Sequence, residues 1–402
     1  MKTPSVNIGY RNGNLGVVST NPDGICCIVA SATAVGSTFL LNKAYTVYSL
    51  AEAEALGIIS SIANYELHKT IKEFYDEAGE GTELWIYGVA KTRTLDQLVS
   101  DSEAVLTASN RRIRFVILKY APATAETTTT TTTTAGLRTG FPATLAAAQA
   151  IAEDFTINKI HPVVFIVEAY NYTGVAQDLI GFESATTNRV AVLIGDTEKR
   201  TGTTASKGAA VGVLGGRLAK NQVHVNVGRV KDGALKPLEF FILDTPAEQV
   251  NATPLYTKGF MTIRTHVGKS GYYFVDDNLA CTIEDDYHYM TRRRVIDKAY
   301  VLANATLTNY ILDDLNLVDG GKLSPIDART IEADIERVIA QEMSANGELS
   351  VDVTVANDTG VKVLVDTTNN VASTGIISGK ISVAPKGYGR YLEFTIGYNL
   401  NS

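Results

Sequence analysis

Two five-residue runs, VVFIV at 163–167 and VAVLI at 190–194, constrain this chain more than any other feature. A strand that is apolar at every position has to be buried on both of its faces. Strand patterns of the same kind cover 24–32, 83–89 and 113–118. Helical periodicity fills the gaps at 49–56, 64–78, 94–108, 142–155, 174–184 and 204–220. Buried strands alternating with helices predict a sheet with a parallel component. Within 64–78 the stripe Leu67, Ile71, Phe74 and Tyr75 marks one apolar face, with Asn64 as N-cap and Gly79 near the C-cap.

Beyond Thr245 the pattern changes. Residues 246–255 read as a linker-like or loop stretch, and 258–264 and 271–275 as short strands. An amphipathic helix over 287–315 follows from Val295, Ala299, Leu302, Ala305, Leu307 and Ile311. Gly320 and Gly321 break it, and Ser324 with Pro325 opens a second helix over 326–344. Asp327, Glu332, Asp334, Glu336 and Glu342 give that helix an acidic face. Strands are expected at 349–355, 360–365 and 376–383. The fold class is therefore α/β and α+β: a mixed-sheet N-terminal domain, an α+β C-terminal domain and extended terminal β-arms. The boundaries fall at 1–20 for the N-terminal arm, 21–245, 246–388, and 389–402 for the C-terminal arm. Residues 121–140 include eight consecutive threonines, 127–134, expected as a mobile exposed loop with nothing to bury.

Both ends carry strand-like runs. In 390–400, Leu392, Phe394 and Ile396 alternate with Tyr391, Glu393 and Thr395, and Tyr398 follows. In 4–10, Val6, Ile8 and Tyr10 alternate likewise. Glycines flank both runs. Such strands can close their own domain or be donated to a neighbour's sheet by β-augmentation.

Composition narrows the function classes. A net charge of −7 disfavours nonspecific binding to nucleic acid or anionic membrane. No 18-residue apolar span and no signal-peptide layout occurs, which predicts folding in a cytosol. Cys26 and Cys27 are adjacent on a strand, so they point to opposite faces and make a poor metal clamp, with Cys281 far away. All three are expected as buried thiols. The glycine-rich stretch 195–202 follows a buried strand, where phosphate loops sit, yet lacks the Gly-Lys-Ser/Thr ending. Gly208, Gly212, Gly215 and Gly216 are expected to permit close helix packing. The acidic cluster Asp276, Asp277, Glu284, Asp285 and Asp286 beside His288 could hold a cation. Asp285 and Asp286 fit better as charges at the start of the following helix. No catalytic, cofactor-binding or metal-binding residue is assigned. An α/β ligand-binding protein or enzyme with its site near 195–202 is one reading of these residues.

The runs KGFMTIR at 258–264, GYYFVDDNLA at 271–280 and YMTRRRVIDK at 289–298 resemble the C-terminal domain of contractile tail sheath proteins. That family includes the sheaths of contractile bacteriophages, R-type pyocins and type VI-like injection systems. The continuation fits too: a long helix, a glycine break, a second helix, GELSVD at 347–352 and paired strands. Upstream, 45–57, 67–75 and 81–87 are similar to the N-terminal part of phage-type sheaths. The resemblance implies a homo-oligomer of stacked, hexameric rings around an inner tube protein, with baseplate and tail terminator proteins at its ends. It implies no enzyme activity, cofactor, nucleic acid or membrane insertion, and assembly in the bacterial cytoplasm into a tail or injection particle. It also implies exchange of terminal arms between subunits, here Val6, Ile8 and Tyr10 and the strand Tyr391, Leu392, Phe394, Ile396 and Tyr398. The tube contact it implies falls on the acidic helix, at Asp327, Glu332, Asp334 and Glu336. The threonine run would lie in the outer domain. The alternatives are the α/β ligand-binding protein or enzyme and another virion structural protein, of capsid or baseplate.

Overall fold

The computed structural model describes residues 21–123, 136–201 and 207–397. The chain forms two compact units, Met1–Asp297 and Lys298–Ser402.

The first unit is built on a six-stranded sheet: β1 (Cys26–Ala32), β2 (Ala44–Val47), β3 (Leu84–Ala90), β4 (Phe115–Lys119), β5 (Val164–Glu168) and β6 (Val190–Leu193). Their spatial order is β2-β3-β1-β4-β5-β6, and only the edge strand β2 runs antiparallel to its neighbour. Short apolar strands linked by helices give this parallel order, because each crossover returns the chain to the same end of the sheet. The helices are α1 (Leu50–Ala55), α2 (Tyr65–Ala78), α3 (Leu95–Ala108), α4 (Phe141–Lys159) and α5 (Val211–Lys220). α2 and α5 share one apolar layer with Cys26, Ile28 and Ala30. α3 and α4 share the other with Cys27 and Val29. The adjacent cysteines thus face opposite layers, and all three thiols are buried and free.

Local chemistry sets the helix ends. Thr94 and Gln97 form a reciprocal capping box at α3. Asn64 precedes α2 but does not cap it; its amide instead bonds both ways with the Thr33 backbone, at 2.8 Å each. Gly212 and Gly216 let α5 lie against α2: a methyl at Gly212 would sit 2.3 Å from the Thr70 carbonyl oxygen. The helix expected over 174–184 reduces to the single 3-10 turn Ala176–Asp178. Gly174, at φ 95°, starts a turn there instead.

The two units part at Asp297, not near Thr245. Residues after 245 return to the sheet edge, where the Met261 amide donates to Val192 O (2.9 Å) and the Ile194 amide to Met261 O (3.0 Å). The hairpin β7 (Ile263–His266) and β8 (Lys269–Phe274) brings Ile263 and Phe274 into the same core. Helix α6 (Met290–Leu307) is capped by Asp277, whose carboxylate accepts from the Thr291 amide at 2.8 Å. Asp285 serves the preceding turn, accepting from the Tyr287 amide at 2.7 Å. Arg294 donates to the carbonyls of Leu218 (3.3 Å) and Asn221 (2.9 Å), closing the C-terminal end of α5.

The second unit has a small core. Helix α7 (Pro325–Ile339), with the Ser324 hydroxyl accepting from the Ile326 amide at 3.2 Å, continues as a wider π turn over Ala340–Ser344. Its buried stripe Ile331, Ile335 and Ile339 packs with Val361 and Val363 of an antiparallel hairpin, β9 (Val361–Val365) and β10 (Gly379–Val383). The strand expected over 349–355 is not formed beyond the single bridge between Leu349 and Pro385. Asp352 and Asp358 carboxylates capture the amides of Thr354 (2.9 Å) and Asp352 (2.6 Å), folding that segment into turns. The terminal strand is also unformed within the chain: residues 391–397 join no strand. A strand needs a ladder partner, and the described residues offer this segment none.

Candidate functional site

Apolar exposure is concentrated in the second unit. Of 23 exposed large apolar side chains among the described residues, 15 lie at or beyond Leu307, in roughly the last quarter of the chain. The largest contribution comes from Tyr391 (79% exposed), Leu392, Phe394 (91%) and Ile396 (99%). The alternation expected of a strand is present in the sequence there, but neither of its faces is covered. Val6, Ile8, Tyr10, Tyr398 and the threonine run 127–134 lie outside the described residues.

The hairpin next to this segment has two different edges. At its two ends the Asp366 amide donates to Ser378 O and the Ala384 amide to Gly360 O, both at 2.8 Å. These bonds set the alternation of the antiparallel ladder. Lys362 and Leu364 therefore face β10, while Val361, Val363 and Val365 turn their amides to the outer edge of β9. There Glu336 accepts from the Val363 amide at 2.9 Å and Glu332 from the Val365 amide at 2.8 Å.

This places the four acidic residues expected at a tube contact. Glu332 is buried and Glu336 half-buried, both turned to the chain's own strand. Asp327 accepts from the Asn316 amide at 2.6 Å, and Asp334 from the Tyr310 hydroxyl at 2.5 Å and from Arg337 at 3.0 Å. Helical periodicity put them on one acidic face; the solvent face of α7 instead shows Ile326, Arg329, Thr330 and Ala333. No sequence signal indicated that β9 would lie against Glu332 and Glu336.

The ends of the parallel strands hold buried charge that sequence patterns did not single out. Lys119 at the end of β4 contacts Glu168 at the end of β5 (3.0 Å) and Glu66 (3.1 Å). Burial alone would lower the Lys119 pKa, but Glu168 and Glu66 reverse that and hold it well above the usual lysine value. Beside them Asp196 pairs with Lys69, and Arg200 donates to the Tyr172 and Lys207 carbonyls. The cavity among Gly195, Asp196, Arg200 and Phe241 measures about 10 Å³, room for one water. Among the described residues no three His, Cys, Asp or Glu converge in a metal-binding arrangement, and no helix is long and apolar enough to cross a membrane.

A doubly wound sheet followed by a helix-and-hairpin unit is the fold of contractile sheath proteins. A chain of the anti-feeding prophage baseplate superposes with a TM-score of 0.62 at 12% identity, covering 100% of both chains. A chain of the contracted PVC sheath complex, an extracellular contractile injection system, gives 0.59 at 13% identity over 100% of this chain and 98% of that one. The sheath tail protein of Desulfitobacterium hafniense gives 0.51 at 11% identity over 94% and 100%. The chain belongs to the DUF2586 family: the model of its N-terminal domain matches residues 3–278, and that of its C-terminal domain residues 286–402. Among curated proteins no sequence matches.

Proposed function

We propose that this chain is the structural subunit of a contractile tail sheath. It polymerises as stacked, hexameric rings around an inner tube and contracts to drive that tube through a target envelope, without catalysis or cofactor. Its subunits are linked by terminal strands donated to a neighbour. The observation that carries this is the segment 391–397, which joins no strand and leaves Tyr391, Leu392, Phe394 and Ile396 uncovered in the isolated chain. Exposed apolar patches of this kind mark assembly surfaces, and the full-length likeness to sheath and baseplate chains supports the same assignment.

Main-chain hydrogen bonds make such a link tolerant of side-chain change, and glycines at 387 and 389 let rings rotate while it holds. Contraction then needs only a packing difference of a few kcal/mol per subunit, summed over many subunits. The partners would be further copies of the chain, the tube protein, and baseplate and terminator proteins, assembled in a bacterial cytoplasm. For the tube contact, α7 presents Asp334 with Ile326 and Arg329, while Glu332 and Glu336 are engaged within the hairpin.

Electron microscopy of the purified chain tests this. Ordered cylinders or helical tubes are expected. A monodisperse monomer stabilised by nucleotide would sink the proposal in favour of a ligand-binding α/β protein.

A further inference from the structure

We infer that the receiving hairpin has one usable edge, that of β10, which takes residues 391–397 of a second copy, and that Glu332 and Glu336 keep the β9 edge closed. This rests on the strand donation proposed above and adds which edge is used and what selects it.

An incoming strand at β9 would have to bond to the amides of Val363 and Val365. Both already donate to carboxylates, at 2.9 Å and 2.8 Å. Glu332 is only 5% exposed, so displacing it would take a backbone hydrogen bond from a buried carboxylate and leave it Arg329 alone. Carboxylate–amide bonds are also stronger than the neutral bonds that a strand would put in their place. The β9 edge is thus blunted against pairing.

The β10 edge differs at each of these points. The same alternation turns the amides of Gly379, Ile381 and Val383 outward, and no hydrogen bond reaches them among the described residues. Ile381 and Val383 pair across the ladder with Val363 and Val361, so their side chains share the face that packs on α7, yet they stay half-buried. A donated strand would extend that row with Leu392, Phe394 and Ile396. Its other face would set Glu393 and Thr395 beside Lys380 and Ser382, bringing an acid near a lysine.

A second copy fits this edge better than the chain's own tail. Beyond β10 the Ser350 amide donates to Ala384 O at 2.8 Å, and Leu349 bridges Pro385. The chain is carried past the end of the hairpin rather than back along it. In its own chain the segment 391–397 remains unpaired.

Paired cysteines in the full-length chain test the edge. Ser382→Cys with Thr395→Cys reports on β10, and Leu364→Cys with Thr395→Cys reports on β9; Glu393→Cys in place of Thr395→Cys covers a two-residue shift of register. A donor on β10 lies two strands from Leu364, about 9–10 Å, beyond disulfide reach. The native thiols stay silent because they are buried, and burial pushes Cys281 up to about 12. Oxidising assembled protein should give a ladder of disulfide-linked multimers at least tenfold stronger for the Ser382 pair than for the Leu364 pair. Adding Glu332→Ala and Glu336→Ala should strengthen the Leu364 ladder. A ladder favouring Leu364 overturns the edge assignment and leaves donation standing. A disulfide-closed monomer from the Ser382 pair overturns the second-copy occupant. Tubes that form without either ladder overturn strand donation itself.

Discussion

Lys119 meets Glu168 at 3.0 Å across the C-terminal ends of two neighbouring parallel strands, with neither side chain more than 1% exposed. Glu168 also accepts from the amides of Tyr120 (2.6 Å) and Ala209 (3.1 Å), so it ties β4 to the segment leading into α5. Charges this deep are held by their partners, and removing one partner costs more than the pair contributes.

Glu168→Ala is therefore expected to destabilise the chain by ~3–5 kcal/mol, the range for an uncompensated buried charge. Glu66 remains within 3.1 Å of Lys119 and sets the result toward the lower end of that range. Urea unfolding followed by circular dichroism measures it. The triple variant Lys119→Met with Glu168→Gln and Glu66→Gln should recover much of the loss, since neither carboxylate is then left charged without its lysine.

The contact between α2 and α5 depends on the absence of side chains. At Gly212 an added methyl would lie 2.3 Å from a backbone oxygen, which cannot rotate away. Gly212→Ala should cost about 1–3 kcal/mol through forced separation of the helices, against a gain of about 1 kcal/mol in helix propensity. A net loss in thermal melting is the expected outcome. A net gain would mean that the helices separate freely.

How much of this was legible in the sequence depended on whether burial leaves a local mark. β1 and β3 to β6 could be read because strands covered on both faces become continuous apolar runs. The glycine spacing in α5 could be read because close helix packing demands small residues at fixed intervals. Lys119 and Glu168 could not. Each simply ends an apolar run, and their meeting follows from a strand register, Leu118 beside Val167, that no local pattern encodes. The surroundings of the acidic helix were hidden for a related reason. Periodicity shows that Ile331 and Ile335 share a stripe, but not that β9 lies alongside Glu332 and takes up its carboxylate. At the C-terminus the alternation predicted a strand, while the identity of its partner lies outside the chain's own pattern.

His161 supplies a pH dependence with a definite sign. Its ring lies 2.6 Å from Ile113 O and is almost fully buried, and burial lowers its pKa to about 4. The folded chain therefore holds it neutral, whereas the unfolded chain titrates near 6.5. Its contribution is complete above pH 6.5 and is lost as pH falls from there toward 4. Each tenfold difference in proton affinity between the two states is worth ~1.4 kcal/mol, so the loss reaches roughly 3 kcal/mol at the acid end. His161→Gln should melt with a flatter pH profile than the parent across this window. Parallel profiles for the two proteins would remove the histidine from the account.

Removal of residues 391–402 should separate folding from assembly. Tyr391, Leu392, Phe394 and Ile396 are all at least 75% exposed, so their loss takes little buried surface from the chain that carries them. Stability should change by less than about 0.5 kcal/mol, as for surface changes elsewhere. Polymerisation should disappear, because the open edge of β10 then has no donor. Sedimentation velocity at rising concentration, beside calorimetry of the same samples, reads both quantities. A truncated chain that melts normally but still forms tubes would place the linkage elsewhere in the molecule. One that fails to fold would mean that the segment closes its own domain.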